Sequence, residues 1–271
     1  MSASLPLDFK VQRCSRPLKI CILYSRNPFP MMRGDQLTVS HLISYLAARG
    51  HDVDLITLNT GGTVNAEQVD WLAKTCRRVI RIRHNLFDMA LGLIKGILKL
   101  RPLQVGLFIN QKQIDAALHL DRKDKYDVIY TYYLRSAEAG IRFSGRNVLA
   151  MQLSQYLNTQ RIRDNTKSFV KKSVYSLETW LLGTYEGSIW RDFHSVAIIG
   201  KKDLSSIDSL ALKYQGESIQ NWFYSAHGTD ISKFRPAEKS MVIPGRIVFA
   251  GSMLYEPNVQ AVSWFINNCW D

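Results

Sequence analysis

An apolar run, a proline-bearing loop, an amphipathic segment closed by glycine and a second apolar run succeed one another near the start of the chain. That order leaves few folds open. Leu18-Lys19-Ile20-Cys21-Ile22-Leu23-Tyr24 is short, apolar and followed by breakers, as a buried strand is. The loop 25–35 carries two prolines and Gly34. Residues 36–49 then place Leu37, Val39, Leu42, Ile43, Leu46 and Ala47 at helical spacing, and Gly50 stops the helix. Residues 53–58 read as the second strand. A strand–helix–strand unit of this kind requires a right-handed crossover and parallel strands.

The alternation recurs. Helical patterns are expected over 66–75, 86–100, 111–120, 135–142 and 203–213, with one or two long helices in 159–192. Short strands are expected over 78–83, 127–132, 147–151 and 195–199. Repeated βα alternation predicts an α/β class fold, a doubly wound parallel sheet of Rossmann-like type with helices on both faces. The turn cluster His227-Gly228-Thr229-Asp230 and a polar stretch ending at Pro244-Gly245 then read as an interdomain linker. Arg246 to Gly251 reads as a new strand ending in a glycine loop, and 258–269 as a helix, together the first β-loop-α of a second domain. So short a piece cannot bury a core alone, because domains below about 40 residues rarely fold unaided. The expected division is an N-terminal domain over residues 1–228, a linker over 229–245 and the start of a truncated second domain over 246–271.

Charge narrows the partners. Lys and Arg number 35 against 23 Asp and Glu, a formal net charge of +12, which favours an anionic partner such as nucleic acid, an acidic membrane surface or a phosphate-bearing substrate. Nucleic-acid binding calls for aromatics interleaved with basic residues on an exposed sheet. Here the aromatics fall in apolar strand and helix patterns, so no nucleic acid is expected. Basic residues Arg161, Arg163, Lys167, Lys171 and Lys172 run along one helical segment. The 86–100 segment puts Leu86, Ala90, Leu93, Ile94 and Ile97 on one face, with Lys95 and Lys99 elsewhere. That pattern fits either a core-facing helix with solvated lysines or a helix lying on an anionic bilayer. No uninterrupted run of about 20 apolar residues is present to span a membrane, and the first residues lack a signal-peptide core. Cys14, Cys21, Cys76 and Cys269 are scattered, without a CxxC pair or a histidine at zinc spacing, so neither a disulfide framework nor a metal site is expected. A cytoplasmic protein, peripheral on the inner membrane face, fits these features.

In open α/β sheets ligands sit beyond the carboxyl ends of the strands. Gly34 and Asp35 occupy such a loop, where glycine permits close backbone approach and aspartate can hydrogen-bond a sugar hydroxyl. The same pair also reads as a turn and helix N-cap. No GxGxxG fingerprint accompanies it. Gln152, Ser154 and Asn158 follow another predicted strand. Gly251-Ser252 opens the second domain, where backbone N–H groups could approach a phosphate. His51 falls in the turn on the opposite edge, and His227 in the linker.

These residues resemble a known pattern. Lys19 to Leu23, the loop with Gly34-Asp35, the helix end Leu46-Ala47-Ala48-Arg49-Gly50-His51 and the strand Val53-Asp54-Leu55-Ile56 resemble group 1, family 4-like glycosyltransferases of the GT-B fold, in the branch associated with bacterial exopolysaccharide assembly. His227-Gly228-Thr229-Asp230 with Phe234-Arg235-Pro236 is similar to the family's linker, which usually has Asn at position 227 and Val at 229. Ile247 to Met253, with Pro257-Asn258-Val259 and Trp264-Phe265, resembles the start of its donor domain. The strand near 196–199 ends in Gly200, where the family commonly has Ser.

The resemblance implies an acceptor-binding first domain, with Gly34, Asp35, Gln152 and Asn158 facing the acceptor. It implies binding of a nucleoside-diphosphate sugar through Gly251, Ser252 and Asn258 of the second domain and His227 at the linker. Transfer to a hydroxyl of a lipid-linked or polysaccharide acceptor, retaining anomeric configuration and using no cofactor or metal, is the implied activity. The basic residue and paired glutamates of the family's donor site would fall beyond Asp271, so this fragment is expected to be inactive alone and its catalytic residue is unassigned. A non-catalytic module of the same fold that grips anionic lipid or polysaccharide is the alternative.

Overall fold

The computed structural model describes residues 16–61, 64–229, 234–236, 238, 241, 243–253 and 256–270. Seven strands, β1 (Lys19–Tyr24), β2 (Asp52–Asn59), β3 (Arg78–Arg83), β4 (Val128–Tyr132), β5 (Asn147–Gln152), β6 (Ser195–Ile198) and β7 (Trp222–Tyr224), form one parallel sheet in the order β3-β2-β1-β4-β5-β6-β7. The doubly wound α/β fold predicted from the βα alternation is present. Strand order reverses beside β1, so the connections leaving β1 and β4 diverge and open a crevice at their carboxyl ends.

Both faces of the sheet are covered, so its central strands are apolar on both sides for most of their length. Alternate residues then go to opposite layers. Ile20, Ile22 and Tyr24 of β1 pack with Val39 and Ile43 of α1 (Gly34–Ala48). Cys21 and Leu23 face the other way, onto Ile114 and Ala117 of α5 (Gln111–Asp124). A third core joins β5 and β6 to α8 (Phe169–Ile189) and α9 (Lys201–Gln215). Gly50 ends α1 at φ 78°, a left-handed conformation open to glycine, and its N–H reaches the Ala47 carbonyl at 2.9 Å. His51, placed by sequence on the edge away from the site, accepts from the Leu18 N–H there at 3.2 Å.

The helices 66–75 and 86–100 appear as α2 (Ala66–Thr75) and α3 (Leu86–Leu98), each begun by an asparagine capping box. The 159–192 region resolves into α7 (Gln155–Asn165) and α8. Residues 135–142 are less regular than expected, a 3-10 turn Leu134–Ser136 and one turn of helix, α6 (Ala137–Gly140). Two short elements escaped the sequence pattern, α4 (Leu103–Gly106) and β7, because neither is long enough to show a period.

The chain divides into two compact units, Met1–His227 and Gly228–Asp271. The second contains α10 (Glu256–Cys269), which starts two residues before the expected helix. Its predicted strand at 246–250 is not formed. A strand exists only as part of a hydrogen-bonded ladder, and no described neighbour pairs with these residues, which leaves Ile247 and Val248 exposed. Asp230 of the linker motif lies outside the described residues.

Candidate functional site

The crevice between β1 and β4 collects polar side chains on an aromatic floor. Tyr24 and Tyr132, the last residues of their strands, meet edge to face at 5.5 Å, and Tyr132 stacks near Tyr133 at 6.4 Å. Asp35 lies in the first turn of α1, but the N-cap position belongs to Arg33, so the helix-cap reading of Asp35 does not hold. Its Oδ2 instead accepts from the Tyr24 hydroxyl at 2.8 Å and from Arg26 Nη1 at 3.2 Å. Burial, and next the Asp35 carboxylate, push the Tyr24 phenol well above its usual range, so it remains a proton donor to Asp35. The aspartate side chain is 21% exposed, and Oδ1 has no protein partner among the described residues. A Cβ at Gly34 would enter open space, so packing does not demand glycine there.

Gln152 closes β5 in a left-handed conformation, φ 68°, with its Oε1 buried and unpartnered among the described residues. Asn158 lies on α7, exposed. Gln155, between them, was not singled out by sequence, yet its amide donates to the Tyr133 hydroxyl at 2.6 Å and so joins the β5 end to the β4 end. Tyr133 has φ 74° and ψ 147°, a region almost confined to glycine. Non-glycine residues held there cost roughly 1–3 kcal/mol and cluster at functional sites. Arg135 completes the crevice. Its guanidinium sits 5.4 Å from the centres of both the Phe108 and Tyr133 rings. Sequence reasoning passed it over as one residue of a helix; its place just after a strand's carboxyl end was the available signal.

Beneath the β5 end, Glu186 is buried. Its Oε2 accepts from Ser154 Oγ at 2.8 Å and its Oε1 from the Gln155 N–H at 2.6 Å, which satisfies the N-terminus of α7. Burial raises its pKa from 4.5 to about 7, against the opposing hydrogen bonds from Ser154 and the backbone. A carboxyl raised in the fold favours the native state while protonated, so this stability is complete below about 4.5 and lost as pH rises through about 7. The expected loss is on the order of 3 kcal/mol, about 1.4 kcal/mol for each of roughly 2.5 pH units. Urea unfolding at pH 4 and pH 8 should show it, and Glu186→Gln should flatten the difference.

In the second unit, Asn258 on α10 donates from Nδ2 to the Ser252 carbonyl at 3.0 Å, and a Cβ at Gly251 would meet that same Nδ2 at 2.8 Å. Three of the four predicted donor-side residues, Gly251, Ser252 and Asn258, therefore lie together. His227, at the end of the first unit, is exposed.

No family model matches the chain. A sucrose-phosphate synthase from Thermosynechococcus elongatus superposes over 81% of this chain and 50% of its own, with a TM-score of 0.52 and 17% identity. That likeness is one of fold. A protein of the cps region of Klebsiella pneumoniae, described as an uncharacterized 44.6 kDa protein, is 22% identical over 254 residues, covering 92% of this chain and 60% of the relative. The chain thus spans about 60% of that relative's length and half of the synthase's.

Proposed function

We propose that this chain carries the acceptor side of a retaining glycosyltransferase. It would move a sugar from a nucleoside-diphosphate donor to a hydroxyl of a lipid-linked or polysaccharide acceptor. The observation that carries the reading is Asp35 at the sheet's switch point, held by Tyr24 and Arg26 with one oxygen left for a ligand. The synthase-like fold and the motif resemblance support it, and a relative from a cps region fits a place in polysaccharide assembly.

In this mechanism the acceptor hydroxyl hydrogen-bonds to Asp35 Oδ1 and the half-buried Tyr133, just past β4, offers its ring to the sugar, while Tyr24 and Tyr132 are fully buried and support the site from below. Gly251, Ser252 and Asn258 open the donor-binding domain, where backbone N–H groups would meet the leaving diphosphate as its charge develops. The donor is a cosubstrate, and no metal or other cofactor takes part.

The acceptor's lipid places the enzyme on an anionic bilayer surface. No helix of the described residues is long and apolar enough to cross a membrane. Contact instead falls to α3 and the first turns of α8. Gly92 and Gly96 turn the narrow side of α3 inward, where a Cβ at either would collide with the backbone of Gly106 on α4 at 2.6–2.7 Å. The large residues are left outside, with Phe87 75% and Leu98 81% exposed. The core-facing reading of this helix is thereby overturned. Phe169, Val170, Val174 and Leu177 are exposed on α8 beside Lys171 and Lys172. Glu178 of α8 accepts from the Leu103 and Gln104 N–H groups of α4 at 2.6 and 3.1 Å, and α4 is the element on which Gly92 and Gly96 of α3 pack. Such apolar faces rimmed by lysine suit an interfacial helix surface, where each basic residue near the bilayer adds about 1 kcal/mol.

The test is transfer of labelled sugar from nucleotide donors to membrane-extracted acceptor by the full-length protein. In that assay Asp35→Asn should lower kcat/KM by about 10- to 150-fold, the value of a hydrogen bond to a charged group at about 1.5–3 kcal/mol. Donors neither bound nor consumed would remove the reading. An unchanged kcat/KM in the Asp35 variant would remove the role given to that residue.

A further inference from the structure

Arg135 is held in an unusual way for an arginine withdrawn from solvent. Such a side chain ordinarily pairs with a carboxylate, because an unpaired charge is costly to bury. Here the guanidinium is instead flanked by the rings of Phe108 and Tyr133, which attract its charge without occupying its N–H donors. Its Nε is buried with no hydrogen-bond partner, and no carboxylate lies within ion-pair distance among the described residues. Both rings are themselves braced. Phe108 stacks on His84 at 5.9 Å, and His84 is fixed by the Leu107 carbonyl at 2.8 Å and by Asn110 at 2.9 Å. Tyr133 is fixed by Gln155.

The surrounding charge makes the arrangement stranger as a purely structural one. Burial and then Arg26 hold the Arg135 guanidinium below its usual pKa, and Arg33 acts in the same direction. Three guanidiniums thus oppose one nearby carboxylate, Asp35, which already pairs with Arg26. Arg33 stands at the N-cap of α1, so the positive end of that helix adds to the field. The site repels itself when empty and has forked donors to spare. An anion would relieve both.

We propose that Arg135, supported by Arg26 and Arg33, binds a phosphate or diphosphate group borne by the acceptor, next to the hydroxyl bound by Asp35. The guanidinium fork matches two phosphate oxygens in a way an ammonium cannot. The inference rests on the acceptor-site reading above, but its test does not require sugar transfer.

The 271-residue chain is titrated with inorganic pyrophosphate at fixed salt, followed by calorimetry and by the Arg135 Nε–Hε resonance. Saturable binding that shifts that resonance is expected. Arg135→Gln should weaken it by about tenfold or more, Arg135→Lys should restore only part, and Arg161→Gln on the exposed surface of α7 should leave it unchanged. Absence of saturable binding, a silent Arg135 resonance, or equal loss in the Arg161 variant overturns the proposal. The resonance in the unaltered protein decides the matter even if the Arg135 variants fail to fold. Competition then separates the sources. An alkyl diphosphate displacing pyrophosphate more readily than uridine diphosphate supports the acceptor, whereas the reverse order overturns that assignment. Pyrophosphate binding without any sugar transfer would leave this site standing and remove the transferase reading. Transfer to a neutral acceptor, indifferent to Arg135→Gln, would do the opposite.

Discussion

Anionic vesicles should retain the unaltered protein and release a Phe87→Asp, Leu98→Asp double variant. Each side chain, once sunk into the acyl boundary, contributes about 1.5–3 kcal/mol. The pair together should therefore change the partition coefficient by roughly 10²- to 10⁴-fold. Both residues point away from the protein core, so thermal stability should be unaltered, which separates lost docking from lost folding. Raising salt should weaken retention further through Lys95, Lys99, Lys171 and Lys172, since exposed charges are screened beyond about 10 Å at 0.1 M. Equal vesicle binding by the double variant would show that the surface lies elsewhere. Self-association lost in the variant, with vesicle binding intact, would assign α3 to a second copy of the chain.

A second large effect is expected at the opposite edge of the sheet. Asp54 of β2 is 1% exposed and receives Arg77 through two bonds, Nε to Oδ1 at 2.9 Å and Nη2 to Oδ2 at 2.6 Å. The Tyr126 hydroxyl donates to the same carboxylate, and Arg78 stands at 3.4 Å while bonding Asp124 at 2.8 Å. Arg77 is held strongly protonated, first by its hydrogen bond to Asp54. Arg77→Met should cost about 3–5 kcal/mol, because it strands a buried carboxylate with only part of its compensation. Urea unfolding would measure this. Adding Asp54→Leu should recover much of the loss, since removing both charges is far less costly than removing one. A single-variant loss below about 1 kcal/mol would mean that Arg78 and Tyr126 suffice for Asp54.

Some of this was written in local sequence. The β1, β2 and β4 strands were legible because strands covered on both faces carry apolar residues on both sides, and the connecting helices because Leu37, Val39, Ile43 and Leu46 repeat at the helical period. Gly34-Asp35 could be placed near a binding edge because that edge is a property of every parallel α/β sheet. Local pattern failed where an element was too short to have a period, as in α4 and β7. It failed again at 246–250, where strand-forming residues have no described ladder to join.

Sequence by itself therefore determined the α/β class, the succession of elements and the loop that carries Asp35. Only tertiary structure decided which strands became neighbours, that Phe108 would come from a separate segment to meet Tyr133 and Arg135, and that α3 would turn its glycines inward. The physical reason is that period and propensity act over a few residues, whereas these outcomes depend on contacts between distant ones. An apolar helical stripe reads the same whether it meets a core or faces away from it. Glycine backbones that could approach Gly106 closely, and larger side chains that could not, settled the matter for α3.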